Sequence, residues 1–170
     1  DVASGLFAWV VPESSSKARV GLMTSKNPNV YLEKFLKKRF GRIDVSNRTG
    51  DMVRYGLIKK SVADNVLLVG DAACQIKPFS AGGLVYGQIG ANCAGKACVR
   101  ALEKNNFFKK FLLKNYDKKW KKELANPIRK GIFMKKIFSK IQDKPLSFKL
   151  IKNLGITKLS DFLDMDFLRK

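Results

Sequence analysis

Histidine is absent from all 170 residues. The chain therefore cannot supply a Ser-His-Asp triad, a His-activated cysteine or an imidazole metal site, and much hydrolytic chemistry goes with them. Cysteine is scarce: Cys74, Cys93 and Cys98 are odd in number and lack Cys-x-x-Cys spacing. Neither a disulfide framework nor a zinc knuckle is expected, no metal site is expected, and a reducing, cytoplasmic compartment fits. Acidic residues number only 14 against 34 Lys and Arg. A convincing membrane span is lacking too. Residues 78 to 95 carry no charge, but five glycines together with Ser80, Gln88 and Asn92 make that stretch too polar and too weakly helical to cross a bilayer alone. No cleavable signal precedes it. The first residue is Asp rather than Met, which leads us to expect a piece of a longer chain.

What is present is an apolar composition of 45%, enough to bury an ordinary core in one domain or one large part of a bigger one. The net charge of +20 is unevenly spread: residues 1 to 103 hold 15 basic and 8 acidic side chains, whereas residues 104 to 170 hold 19 and 6. The basic C-terminal third would attract nucleic acid, an anionic membrane or a phosphorylated lipid. Lysines that merely solvate helix faces are the alternative.

Two short apolar runs, Leu6 to Val11 and Ala18 to Met23, flank a polar Pro-Glu-Ser-Ser-Ser loop and predict a hairpin. Asn27 as N-cap, Pro28 at the first position and Gly41 past the end predict a helix over 28–40, with Val30, Tyr31, Phe35, Leu36 and Phe40 on its buried face. Met52 to Ile58 reads as a strand, and Val66 to Val69 as a strand buried on both sides of a sheet. Leu84 to Leu102 should be a helix whose Gly87, Gly90, Ala91, Ala94 and Ala97 admit a close neighbour. From Phe107 onward the chain reads as helical. Phe108, Leu112, Tyr116, Trp120 and Leu124 recur every fourth residue as a core-facing stripe, and Pro127, Pro145 and Gly155 mark breaks before a last piece capped by Ser160.

The segment with chemical content is residues 66 to 83, Val-Leu-Leu-Val-Gly-Asp-Ala-Ala-Cys-Gln-Ile-Lys-Pro-Phe-Ser-Ala-Gly-Gly. A strand delivers the Asp71 carboxylate to a glycine-rich helix start. Gly70 lets another group approach the backbone, Asp71 can accept hydrogen bonds from a polyol, and Ala72 and Ala73 leave room. Gly82 and Gly83 expose amide N–H groups at the positive end of a long helix, a place for developing negative charge such as the N1 and O2 edge of reduced flavin. Cys74, Lys77 and Tyr86 are nearby candidates for proton donation, and nothing in the sequence selects among them.

This string, with its Gly-Asp-Ala-Ala, Lys-Pro and Gly-Gly, resembles that of the FAD-dependent geranylgeranyl reductases. A second likeness lies in Phe7-Ala8-Trp9-Val10-Val11-Pro12 and the later Gly21, which is similar to the family's Tyr-x-Trp-x-Phe-Pro motif. Cys74 and Ala81 stand where the family often has glycine, Phe7 lacks the usual hydroxyl, Val11 replaces an aromatic and Met23 replaces a second glycine. The resemblance implies an α+β (α/β) chain, the C-terminal part of a two-domain FAD-dependent oxidoreductase of the p-hydroxybenzoate hydroxylase-like type. Its N-terminal hairpin would belong to a substrate-binding sheet over residues 1–63. Residues 64–104 would form the second half of the FAD-binding domain, and residues 105–170 a basic, mainly helical region.

No Gly-x-Gly-x-x-Gly follows a strand, so the dinucleotide-binding part is expected to be missing here. By the same resemblance, Gly70, Asp71, Pro78, Gly82 and Gly83 would bind FAD. Phe7 and Trp9, two apart on one strand face, would line the path of a prenylated lipid, although such a pair can also simply cover a core. The implied activity is saturation of double bonds in geranylgeranyl chains of archaeal-type lipids, at a site in the cytoplasm with peripheral contact to an anionic membrane. The rivals are another flavin-dependent monooxygenase or dehydrogenase of the same fold, and a non-enzymatic basic module binding lipid or nucleic acid.

Overall fold

The computed structural model describes residue 3, residues 6–41 and residues 44–141, with side chains as far as residue 136. The expected breaks at Pro145 and Gly155 and the Ser160 cap lie outside the described residues. Two compact units, Asp1–Asp51 and Met52–Lys170, make up the chain.

In the first unit, β1 (Ala8–Pro12) and β2 (Ala18–Leu22) pair antiparallel, with Trp9 opposite Gly21 and Val10 opposite Val20. The amides of Glu13 and Ser14 both donate to the Lys17 carbonyl and close the loop. Phe7, Trp9 and Val11 share one exposed face, and the Phe7 and Trp9 rings lie 5.8 Å apart at a tilt of 52°. The Trp9 ring lies over Gly21 so closely that any β-carbon there would strike it.

Helix α1 (Pro28–Phe40) starts at Pro28 as expected and ends at Gly41, whose φ of +73° suits glycine and whose N–H donates to Lys37 O. Two expectations are corrected. Asn27 is left-handed (φ +46°) where a capping residue takes an extended backbone, and it makes no side-chain cap. Only Leu36 is fully buried on α1, while Val30 and Phe40 are exposed, since this small unit offers the helix little more than β2 to pack on.

The second unit is built on helices. Helix α2 (Leu84–Glu103) is followed by α3 (Lys109–Leu112), a π-turn (Leu113–Asp117) and α4 (Lys118–Ile141). Leu112, Tyr116, Trp120, Leu124 and Ile128 are buried, and they pack with Tyr86, Ala94, Ala97 and Ala101 of α2. The small residues of α2 thus admit the large stripe of the later helices. Phe108 drops out of the expected stripe: it precedes α3 in an extended conformation and is 70% exposed. Pro127 does not end a helix but sits inside α4. The buried residues on either side, Leu124 and Ile128, hold the helix across the one hydrogen bond that proline cannot donate.

The sheet is much smaller than expected. Among the described residues of the second unit only β3 (Val62–Ala63) and β4 (Val66–Leu67) pair, around a two-residue turn in which Asn65 has φ +60°. Residues 52–58 form no strand. Val66 and Leu68 are exposed rather than buried on both faces. Among the described residues no third strand lies beside β4 to extend the ladder, so the apolar run has no neighbours to cover it.

Polar anchors take over. Asp117, 4% exposed, accepts from the Ser61 amide and hydroxyl, each at 2.8 Å, and from Lys121 Nζ at 2.8 Å. Trp120 Nε1 donates to Ser61 Oγ, and Lys121 also donates to the Lys59 carbonyl. The β3–β4 turn is tied to the start of α3 by Asp64, which accepts from the Lys109 amide, and by Asn65 N–H donating to Phe107 O.

Trp120 is the largest fully buried side chain. Its replacement by alanine should lower unfolding stability by about 3–5 kcal/mol, measured by urea unfolding followed by far-ultraviolet circular dichroism.

Candidate functional site

The end of β4 runs through extended Val69 (φ −132°, ψ 154°) into Gly70, whose φ of +65° turns the chain into a 3-10 turn, Gly70–Ala73. Cys74 ends that turn in the left-handed region (φ +54°); its N–H donates to Asp71 O, and Gln75 N–H donates to Gly70 O. A second closed loop follows, in which Lys77 N–H donates to Gly82 O and Ala81 N–H to Lys77 O, with Ala81 at φ +58°. Pro78, within this loop, is fully buried. Gly83 then leads into α2, whose first bond is Gly87 N–H to Gly83 O at 2.7 Å.

Between the 3-10 turn and the start of α2 is a shallow cavity of about 490 Å³, largely open to solvent and lined by Val69, Gly70, Asp71, Gly83, Gly87 and a 92% exposed Leu84. The size is that of a small-molecule site. Asp71 lies beside Gly83: a β-carbon on Gly83 would come 2.9 Å from Oδ1 of Asp71 and 3.3 Å from Ile76 Cγ2. The carboxylate is thereby held at the N-terminal, positive end of α2, where the first turn contains no acidic side chain and no side-chain cap. A β-carbon on Gly87 would lie 3.8 Å from the Cα of Gly70, an ordinary contact distance. Chemically, the cavity combines hydroxyl acceptors from Asp71, unpartnered helix amides and a floor of glycine backbone.

Of the expected cofactor residues, Gly70, Asp71 and Gly83 line the cavity, while Pro78 and Gly82 belong to the loop next to it. Phe7 and Trp9 are in the other unit. None of the candidate proton donors is among the lining residues. Cys74 is buried with its thiol pKa raised by desolvation, Lys77 is buried, and Tyr86 sits in the helical core with its hydroxyl pKa raised by burial. Val69 and Leu84 were not anticipated as walls. Their position at the two ends of the motif was the available signal.

Gln75 was not anticipated either. It is wholly buried, accepts from Gly70 N–H through Oε1 at 2.7 Å and donates through Nε2 to Tyr116 Oη at 3.0 Å. Gly90 makes room for it, since a β-carbon there would overlap its carboxamide.

The backbone and the motif together point in one direction. Two relatives named digeranylgeranylglycerophospholipid reductase, from Methanococcoides burtonii and Methanothermobacter thermautotrophicus, are 30% and 29% identical to this chain over 96% of its length. The chain is related to the geranylgeranyl reductases. An uncharacterized protein of Methanocaldococcus jannaschii is 33% identical over 94% of the chain. The chain spans about 43% of the length of these relatives. A geranylgeranyl bacteriochlorophyll reductase-like crystal structure from Thermoplasma acidophilum superimposes with a TM-score of 0.61 over 79% of the chain and 36% of its own, at 24% identity, which shows a shared fold. No protein-family profile matches the chain.

Cys74 and Ala81, where the resemblance leads us to expect glycine, are both left-handed. Glycine meets that conformation without strain, and a β-carbon costs about 1–2 kcal/mol there. Ala81→Gly should therefore raise stability by up to about 1 kcal/mol once the greater freedom of glycine in the unfolded chain is offset. Gly83→Ala should change it by less than about 1 kcal/mol, because the Gly83 backbone (φ −106°) suits any residue and the exposed Asp71 carboxylate can turn aside. Urea unfolding midpoints of both variants check these two outcomes.

Proposed function

We propose that this chain is the C-terminal part of an FAD-dependent reductase that saturates double bonds in the geranylgeranyl chains of archaeal-type membrane lipids, and that it holds one side of the flavin site. The observation that carries the reading is the cavity between Gly70–Asp71 and the glycine entrance of α2. Asp71 would accept hydroxyls of the ribityl chain, the Gly83 entrance would receive the negatively polarised edge of the ring, and Gly82 and Pro78 would shape the adjoining loop. FAD would supply hydride transfer, while the protein binds, orients and excludes water.

Several features support a site shared with further chain. The relatives are more than twice as long as the matched region, leaving room for a dinucleotide-binding part. The outer face of α2 carries Leu84, Val99 and Leu102 fully or largely exposed, beside Ala91 and an unobstructed Gly95. An apolar helix face of that kind marks packing against another surface. In this reading residues 1–63 serve the substrate sheet, with Phe7 and Trp9 against the hydrocarbon. Residues 64–104 serve the flavin, and residues 105–170 serve the membrane.

The membrane role follows from charge and shape. No helix among the described residues is long and apolar enough to cross a bilayer. Lys114, Lys118, Lys119, Lys122, Arg129, Lys130 and Lys136 are exposed along the π-turn and α4, a surface suited to anionic headgroups.

The decisive experiment is purification of the full-length reductase with its flavin, followed by assay on digeranylgeranylglycerophospholipid with mass-spectrometric detection of added hydrogen. Asp71→Ala should weaken FAD binding at least tenfold, about 1.4 kcal/mol, and reduce turnover in proportion. A protein that retains no flavin, or an Asp71→Ala variant with unchanged affinity, would overturn the reading. In vesicle sedimentation the same protein should prefer anionic over neutral lipid at low salt and lose that preference as ionic strength screens the lysines.

A further inference from the structure

The motif and the helical core meet at one buried hydrogen-bonded relay. The Gly70 amide donates to Gln75 Oε1, Gln75 Nε2 donates to Tyr116 Oη, and the Tyr116 hydroxyl donates to the Leu68 carbonyl. The relay therefore captures two backbone groups that flank Val69, a wall of the cavity, and joins them through two side chains, Gln75 and Tyr116. Neither group has a partner strand among the described residues, since β4 pairs only through Val66 and Leu67.

The direction of the relay is determined. Gly70 N–H can only donate, so the Gln75 oxygen must face it and the Gln75 nitrogen must face Tyr116. Tyr116 then has its proton free for Leu68. Burial raises the tyrosine pKa and keeps that proton in place across the physiological range. Tyr116 is itself held in the π-turn, next to Asp117 with its bonds to Ser61 and Lys121. Turns of this type recur at functional sites, where they aim a side chain that a regular helix would misdirect.

We propose that Gln75 and Tyr116 are positioning residues that set Gly70 and Asp71 for the flavin from the π-turn of the helical core. Neither touches the cavity; they act through the Gly70 amide, whose left-handed φ decides where the Asp71 carboxylate points. The flavin part of this proposal rests on the function proposed above, whereas the effect on Gly70 does not.

Tyr116→Phe and Gln75→Met remove the relay with little change of volume. Tyr86→Phe is the control, because Tyr86 is equally buried in the same core and its hydroxyl has no hydrogen-bond partner among the described residues. In the full-length protein without flavin, amide hydrogen exchange at Gly70 should accelerate at least tenfold in Tyr116→Phe and Gln75→Met and stay unchanged in Tyr86→Phe. In the flavin-loaded protein, each relay variant should raise the FAD dissociation constant about five- to tenfold. The double variant should be no worse than the single ones, as expected of groups that act as a unit.

Gly70 exchange that is the same in Tyr116→Phe as in wild type would overturn the proposal. So would FAD affinity unchanged in both relay variants of a protein that binds FAD. A wild type without flavin would sink the function reading instead, and the exchange comparison would still decide whether the relay sets Gly70.

Discussion

Large side chains seated on small ones hold the second unit together: Leu112, Tyr116, Trp120, Leu124 and Ile128 against the Ala94, Ala97 and Ala101 face of α2. Close approach of the two helical segments depends on that difference in size, because side chains of ordinary bulk on α2 would push the stripe outward. The approach also brings polar atoms of the π-turn and α4 within hydrogen-bond reach of residues 59, 61, 68 and 75.

The polar contacts then do what a sheet would otherwise do. A two-residue ladder cannot satisfy the backbone of an apolar run, and buried unpaired amides and carbonyls are costly. Asp117 and Trp120 hold Ser61, Lys121 holds the Lys59 carbonyl, and Tyr116 with Gln75 holds Leu68 and Gly70. The chain leading into the cavity is thus fixed from the helical side. Small residues recur where this fixing is tightest: Gly90 under Gln75 and Gly83 beside Asp71.

Three positions of the motif carry positive φ: Gly70, Cys74 and Ala81. Glycine takes that conformation without strain, whereas a β-carbon at Cys74 and Ala81 stores a little local strain in the two turns between β4 and α2.

Much of the local architecture was legible in the sequence. The hairpin around residues 13–17, α1 from Pro28 to Phe40 and α2 from Leu84 follow from turn residues, a first-position proline and apolar spacing, which act over a few residues. The grouping of Gly70, Asp71 and Gly83 was legible for the same reason, since one short segment holds them all. What depended on neighbours was not. An apolar run such as Val66 to Val69 becomes a central strand only with partners on both sides, and Pro127 ends a helix only when packing does not hold the helix together. Gln75 and Tyr116 are 41 residues apart, and no local periodicity joins them. The sequence by itself determined where turns and helices begin and that a carboxylate meets a glycine-rich helix start. Only the tertiary structure decided which buried side chains hold that carboxylate's backbone, because hydrogen bonds between distant residues exist only after the helices have packed.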